Sequence, residues 1–469
     1  TSDFEENPYL RYPASALGEM AWDRTQAELE WTGKLGSSVQ IRSVAYHHWL
    51  HRAWTKFNRF ASSIDTHKLL RDEPDGGQAA VYLAILRGEE NSVSEDQQLL
   101  IGTNDRTFHS FGLQTTAEWR KSTEHVESAL EFGVRLHGDH VQRVHTEEPH
   151  SMLDGSLVHT GEETITNLDS VATANALALY LHEDLSIGRL HLFPGLRFEG
   201  IQTWTEAVGG DPQDPVFRSK LLPGMGVLIE ATGVLDVFAG AHQGFSPVAP
   251  GQDADIQPEE SWNYEAGSRV DLSTVAAEVV GFFNDYSNIT GQCSFSGGCS
   301  GSDLDRQYNG GAAQVYGVEF MTDADLPLVG EFQMPLKFSY AWTDARFTTS
   351  FSSSFPQYGQ VASGDRLPYL AAHQASLTVG VDHPKAALYA GLSYRSGMLD
   401  AAGDLENPDI DALLTLDASA SAQLHSDWLL YVTGSNLTGE TGITSWRPYG
   451  ARPIAPLQIM AGLKWTPSP

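Results

Sequence analysis

Between Leu235 and Glu319 the chain reads LDVFAGAHQGFSPVAPG, PEESWNYEAGSRV, AEVVGFFNDYSNITGQC and YNGGAAQVYGVE. These are four runs of about ten residues in which apolar and polar side chains alternate, the period of a strand that shows a different medium to each face. A long Gly/Pro/Asp loop, a tight Asp271-Leu272-Ser273 turn and a second long loop join them in that order. About ten residues is the length at which a tilted strand crosses a hydrocarbon layer, and alternate short and long connections describe a meander around a cylinder. The stretch therefore predicts an all-β fold, a transmembrane antiparallel β-barrel.

The same rhythm runs through most of the chain. Residues 1–26, polar and holding Pro8 and Pro13, read as a loop, and the first strand is expected at Ala27–Leu35. After a Gly36-Ser37-Ser38 turn, Val39, Ile41, Ala45 and Trp49 alternate with Gln40, Arg42, Tyr46 and His48, giving one face for lipid and one for a wet lumen. Leu190, Leu192, Leu196 and Phe198 point outward in the same way, against His191, Arg197 and Glu199. From Trp54 to about Asp105 lies a long segment with the apolar stretch AVYLAIL inside it. Beyond it, short turns fall near Lys121–Thr123, Ser186–Gly188, Ala231–Gly233, Asp382–Lys385 and His425–Asp427, with a longer one at Leu326–Met334. Long loops fall near Glu147–Glu163, Thr203–Ser219, Ser246–Glu260, Gly291–Gly311, Thr348–Leu367, Met398–Leu413 and Thr438–Arg452. The tally is about seventeen strands, whereas bacterial barrels close with an even number. With the last strand, Leu457–Trp465, running toward the periplasm, alternation places Thr1 in an extracellular loop, so the chain is expected to begin partway round a wall. The reading is residues 1–26 as loop, 27–466 as barrel and 467–469 as a periplasmic tail.

Composition enters as exclusion. A net charge of −31 opposes nucleic acid as a partner, because phosphates are repelled along most of the surface. Acidic loops would instead face divalent cations that bridge lipopolysaccharide. No run of about 18 apolar residues exists, which excludes a transmembrane helix and not a barrel. Cys293 and Cys299 suit a local disulfide in an oxidising compartment, with two free thiols as the alternative, since zinc needs more ligands. In HHWLH, His47 and His51 share a face that His48 does not, so no metal site is expected. No Gly-x-Ser-x-Gly, Walker, His-Glu-x-x-His or paired Cys-x-x-Cys pattern is present, so neither an enzyme nor a bound cofactor is expected.

ENPYLRYPAS with MAWDRTQAELEW, HHWLHRAWTKFNRF, FPGLRFE, GAHQGFSPVAPG, PEESWNYEAGSR, GFFNDYSN, YNGG, YGVE, SNL and RPYGARP occur in that order. The series resembles the TonB-dependent outer-membrane receptors of Gram-negative bacteria, and within them the ferric-citrate-receptor-like branch, over nearly the whole chain. The resemblance implies an outer-membrane barrel of 22 strands, a plug domain and a short TonB-contacting box, with uptake of a ferric chelate such as ferric citrate or a siderophore. Plug, box and the first few strands are not seen in this sequence, so a plug domain and N-terminal barrel strands are expected from the same precursor or a second chain. The chain departs from the family in ending Trp465-Thr466-Pro467-Ser468-Pro469 instead of on an aromatic residue, and in holding Leu457 where Arg is common.

An anionic chelate calls for arginine, whose rigid fork of donors fits carboxylates. The candidates are Arg42, Arg52, Arg447 and Arg452, with Arg197 beside them. Pairing with luminal carboxylates is the rival role, for Arg197 with Glu199 and for Arg269 with Glu265. Two other functions stay open at this point: a barrel kept as a scaffold or surface-binding component of an envelope complex, and a passive pore.

Overall fold

The computed structural model describes residues 2–72, 74–210, 213–294, 299, 304–403 and 409–467. Thr1 and the last two residues of the expected tail lie outside them. Seventeen strands of one antiparallel sheet make the wall, and a short further strand, Ser156–His159, pairs with the end of the fourth. In chain order these are β1 (Glu19–Leu35), β2 (Val39–Phe60), β3 (Leu99–Ser122), β4 (Val126–Leu153), β5 (Ile165–Ile187) and β6 (Leu190–Ala207). Then come β7 (Val216–Glu230), β8 (Leu235–Ser246), β9 (Glu259–Asp271), β10 (Val275–Asn288), β11 (Ala313–Pro327) and β12 (Gln333–Phe347). The last are β13 (His373–His383), β14 (Ala386–Arg395), β15 (Leu413–His425), β16 (Trp428–Ser435) and β17 (Gln458–Trp465). Each pairs with the next. Among the described residues the free edges of β1 and β17 pair with no other strand.

Strand register sorts the side chains. Residues directly opposite one another in a ladder point to the same face. Leu113, Leu136 and Leu177 form one such row across β3, β4 and β5, and Phe132, Leu181 and Leu196 form another across β4, β5 and β6. Phe132 is 49% exposed and Leu136 54%, so these large apolar groups face outward with nothing of this chain over them. The opposite face is polar: Arg135 donates to the Tyr46 hydroxyl at 2.9 Å, and Tyr180 donates to Glu131 at 2.6 Å. An apolar outside and a hydrogen-bonded inside is the reverse of a water-soluble sheet and fits a wall standing in hydrocarbon. Phe132→Arg, mid-height on the outer face, is expected to cost about 2–4 kcal/mol of folding free energy. Denaturant titration in liposomes checks it, with luminal Gln114→Arg as a control expected to change little.

The wall is uneven. Strands β2 to β5 have 22, 24, 28 and 23 residues, against 8 each for β16 and β17. About 9–11 suffice to cross the hydrocarbon, so the tall side continues well beyond it at the long-loop rim. There both faces of a strand meet water or other protein, and alternation is no longer required. This explains two corrections. The wall begins at Glu19 rather than Ala27, because Met20, Trp22 and Arg24 pair with Trp54, Arg52 and Leu50 above the apolar band. The segment from Trp54 to Asp105 is also mostly ordered: β2 runs on to Phe60 and β3 resumes at Leu99.

Buried apolar clusters sit at the long-loop rim, where the connections fold on one another. AVYLAIL lies in the helix Gly77–Arg87, whose Tyr82, Leu83, Ile85 and Leu86 pack with Phe60, Leu99, Ile101 and Met152. Gly88 ends that helix at φ 75°, the left-handed cap that glycine adopts without a Cβ penalty. Cys293 and Cys299 are joined by a disulfide and pack with Phe347, Phe355 and Tyr358 in a second cluster. A third holds Ala371, Met398 and Ile410 against Tyr369 and Trp446. Gly317 shows how closely the wall is drawn together: a Cβ there would stand 2.1 Å from the Trp342 carbonyl oxygen.

Candidate ligand site at the long-loop mouth

Three arginines come together on the inner face of the tall side. Arg52 on β2 stands directly opposite Arg106 on β3, which stands directly opposite Arg143 on β4. Like charges placed opposite one another repel, so the row is stable only where anionic groups reach it. One carboxylate does. Asp305, in the long connection between β10 and β11, accepts from Arg106 Nη2 through both oxygens, at 3.0 and 2.7 Å, and from Arg143 Nη1 at 3.3 Å. Asp305 belongs to a loop from the far side of the wall, and its side chain is 12% exposed.

The rest of the row is partly satisfied. Arg106 Nε donates to Asn104 at 2.7 Å. Nε of Arg52 and Nε of Arg143 are buried with no hydrogen-bond partner among the described residues. Unpaired donors at buried sites carry a desolvation penalty that an incoming acceptor removes. Lys56, two turns of the pleat above Arg52 on the same face, stacks over Trp54 with its Nζ 3.8 Å from the ring centroid. Trp54, Lys56, Tyr12, Tyr449 and Arg452 line a cavity of about 640 Å³, reached on β2 two residues beyond Arg52. The mouth thus presents cations and aromatic faces, groups that together hold a bulky anion.

The structure separates the sequence candidates. Arg52 belongs to the row. Arg452 is exposed at the cavity, with one bond to the Arg447 carbonyl at 3.3 Å. Arg42 stands at the short-turn end of the lumen, in a two-pronged pair with Glu30 at 3.0 and 2.8 Å, far along the strand from the mouth. Arg447 is 6% exposed; its Nη2 lies 2.9 Å from Asp400, itself 1% exposed, and donates to the Pro356 carbonyl at 3.1 Å. Arg447 thus ties three loops together. Tyr369 donates to the same Asp400 at 2.5 Å. Burial and then that bond push the Tyr369 phenol up from 10.0 to about 12. A raised acid pKa means its contribution is complete below the ordinary value and is lost only as pH rises through the raised one, so physiological pH leaves the bond intact.

Arg197 pairs with Glu199 at 2.6 Å, as its place on the strand allows. Arg269 instead takes Glu278 at 2.7 Å, its direct neighbour across the ladder. Glu265 lies four residues along the same strand, about 13 Å away, beyond side-chain reach. His48 meets Glu28 at 3.2 Å, His47 meets His109 at 3.2 Å and His51 meets Asp105 at 3.0 Å, three separate contacts. Arg106 and Arg143 were legible only through register: each is equally far from the Ser122–Glu127 turn pair, so a hairpin fold sets them side by side.

A seventeen-strand meander with an apolar exterior, a polar interior and loops packed over one mouth defines a wall of the large outer-membrane receptor type. Residues 2–437 match the family described as TonB dependent receptor-like, beta-barrel, and the chain belongs to it. Among solved structures it is similar to the unliganded ferric citrate transporter FecA, with a TM-score of 0.71 and 16% identity over 99% of this chain and 64% of that one. The siderophore receptor PiuA from Acinetobacter baumannii gives 0.71 and 13%, over 96% and 65%. The closed form of the ferric-catecholate import receptor Fiu from E. coli K12 gives 0.68 and 14%, over 97% and 65%. At these identities the likeness is one of fold, and the chain spans less than two thirds of the length of each of the three.

Proposed function

We propose that this chain is the C-terminal part of the barrel of an outer-membrane receptor that takes up a ferric chelate, ferric citrate or a siderophore, in a Gram-negative bacterium. The observation that carries the proposal is the Arg52, Arg106 and Arg143 row, turned into the lumen just below the long-loop mouth. In this reading the long loops are extracellular and the short turns periplasmic. Further strands cover the free edges of β1 and β17, whose backbone groups are costly to leave unpaired in lipid. A plug domain closes the lumen and couples it to the TonB complex. A ligand entering from outside meets the cationic mouth before the plug, the order an uptake receptor requires. Acidic loops such as the one holding Asp253 and Asp255 are where divalent cations would bridge to lipopolysaccharide.

The test is uptake of radiolabelled ferric citrate and of a ferric catecholate by iron-starved cells that carry the complete receptor as their sole route. Energy-dependent uptake of either chelate, abolished when TonB is removed, is the expected outcome. Retention of the protein in an envelope complex without uptake of either would favour the scaffold role.

A further inference from the structure

We infer that Asp305 is an internal competitor for the anion site: a loop carboxylate that occupies the arginine forks until an incoming anionic ligand displaces it. This rests on the receptor reading above. Three guanidinium groups face the site, and among the described residues Asp305 is the carboxylate bonded to Arg106 and Arg143. Both of its oxygens accept from the one Nη2 of Arg106, so a ligand carboxylate and Asp305 exclude each other at that donor. Arg52 has no hydrogen-bond or ion-pair partner among the described residues and meets Asp305 through longer-range attraction, so the site holds donors that Asp305 does not use.

The arm carrying Asp305 is built to present it. The Asp305 N–H donates to the Cys293 carbonyl and the Cys293 N–H to the Arg306 carbonyl, both at 2.8 Å, so the disulfide-bonded Cys293 braces the residue from behind. Gln252 of the neighbouring loop donates to the Asp305 carbonyl at 3.0 Å, and Arg306 pairs with Asp253 at 2.8 Å. Asp305 itself has φ 67°, a left-handed backbone that a residue other than glycine keeps only when its surroundings hold it there. The anchors at Cys293, Gln252 and Asp253 all belong to the arm and its neighbouring loop, not to the strands that carry the arginine row. Displacing one side chain therefore frees the crossing without unfolding the arm. The competitor also sets a threshold: an anion too weak to compete with an aspartate held by two arginines is refused at the mouth.

The experiment uses the complete receptor in detergent, with Asp305→Asn, Asp305→Ala and the parent compared, ferric citrate as the probe, and two readouts. Calorimetry gives affinity, and hydrogen exchange of residues 304–309 reports release of the arm. Both variants are expected to bind about tenfold more tightly, because the parent's competent fraction is reduced by the internal pair. Ferric citrate is expected to speed exchange in the parent, while the variants exchange fast with or without it. Equal or weaker binding by the variants overturns the competition and leaves the receptor reading standing. Binding by neither parent nor variants overturns the receptor reading for this chelate and the competition with it.

Discussion

Arg106→Gln combined with Arg143→Gln is expected to lower affinity for ferric citrate by roughly 100-fold or more. Each charged donor to a carboxylate contributes about 1.5–3 kcal/mol, and a tenfold change in binding is about 1.4 kcal/mol. The double substitution removes both partners of Asp305 as well, so it also frees the arm from the opposite wall. Freeing the arm without loss of affinity would show that the row positions the loop and does not hold ligand. Arg42→Gln, at the other end of the lumen, serves as a control for loss of a luminal arginine and is expected to leave affinity unaltered. Isothermal titration of the three proteins distinguishes these cases.

The second large effect is structural. Arg447→Ala leaves Asp400, 1% exposed, without its cation. Breaking a buried pair from one side typically costs about 3–5 kcal/mol, because the remaining charge is stranded. The loss falls on the loops, since Arg447, Asp400, Tyr369 and Pro356 all lie in connections and not in the wall. Local opening of those loops should rise by roughly two to three orders of magnitude, with the barrel transition little changed. Limited proteolysis of residues 396–403 and 438–457 measures it. Replacing both partners, Arg447→Met with Asp400→Leu, is expected to restore much of the resistance; failure to do so would assign the effect to packing of the arginine stem.

How much of this could be read before folding depends on the distance over which each feature is written. Within the lipid layer the outside must be apolar and the inside wet, so Leu190–Phe198 and Val39–Trp49 announce both strand and face, and the turns expected near Lys121–Thr123 and Asp271–Ser273 fall one or two residues later, at Thr123–Val126 and Leu272–Val275. Above the layer that demand ends, and with it the signal: Glu19–Gln26 and Trp54–Phe60 are strand without looking like it. Arg452 and Arg447 stand in one short motif, yet one is exposed at the cavity and the other is buried against Asp400. No local pattern distinguishes them.

The sequence by itself determined the meander, the order of its short and long connections and the sidedness of each membrane-crossing strand, because a period of two in one strand needs only that strand and its solvents. Tertiary structure alone decided which charges meet. Asp305 reaches Arg106 over 199 positions of sequence, and Arg269 turns from Glu265 to Glu278, because ion pairs form wherever the curved wall and its folded loops bring side chains within a few ångströms. That distance is set by the path of the whole chain, and no stretch of it carries the value.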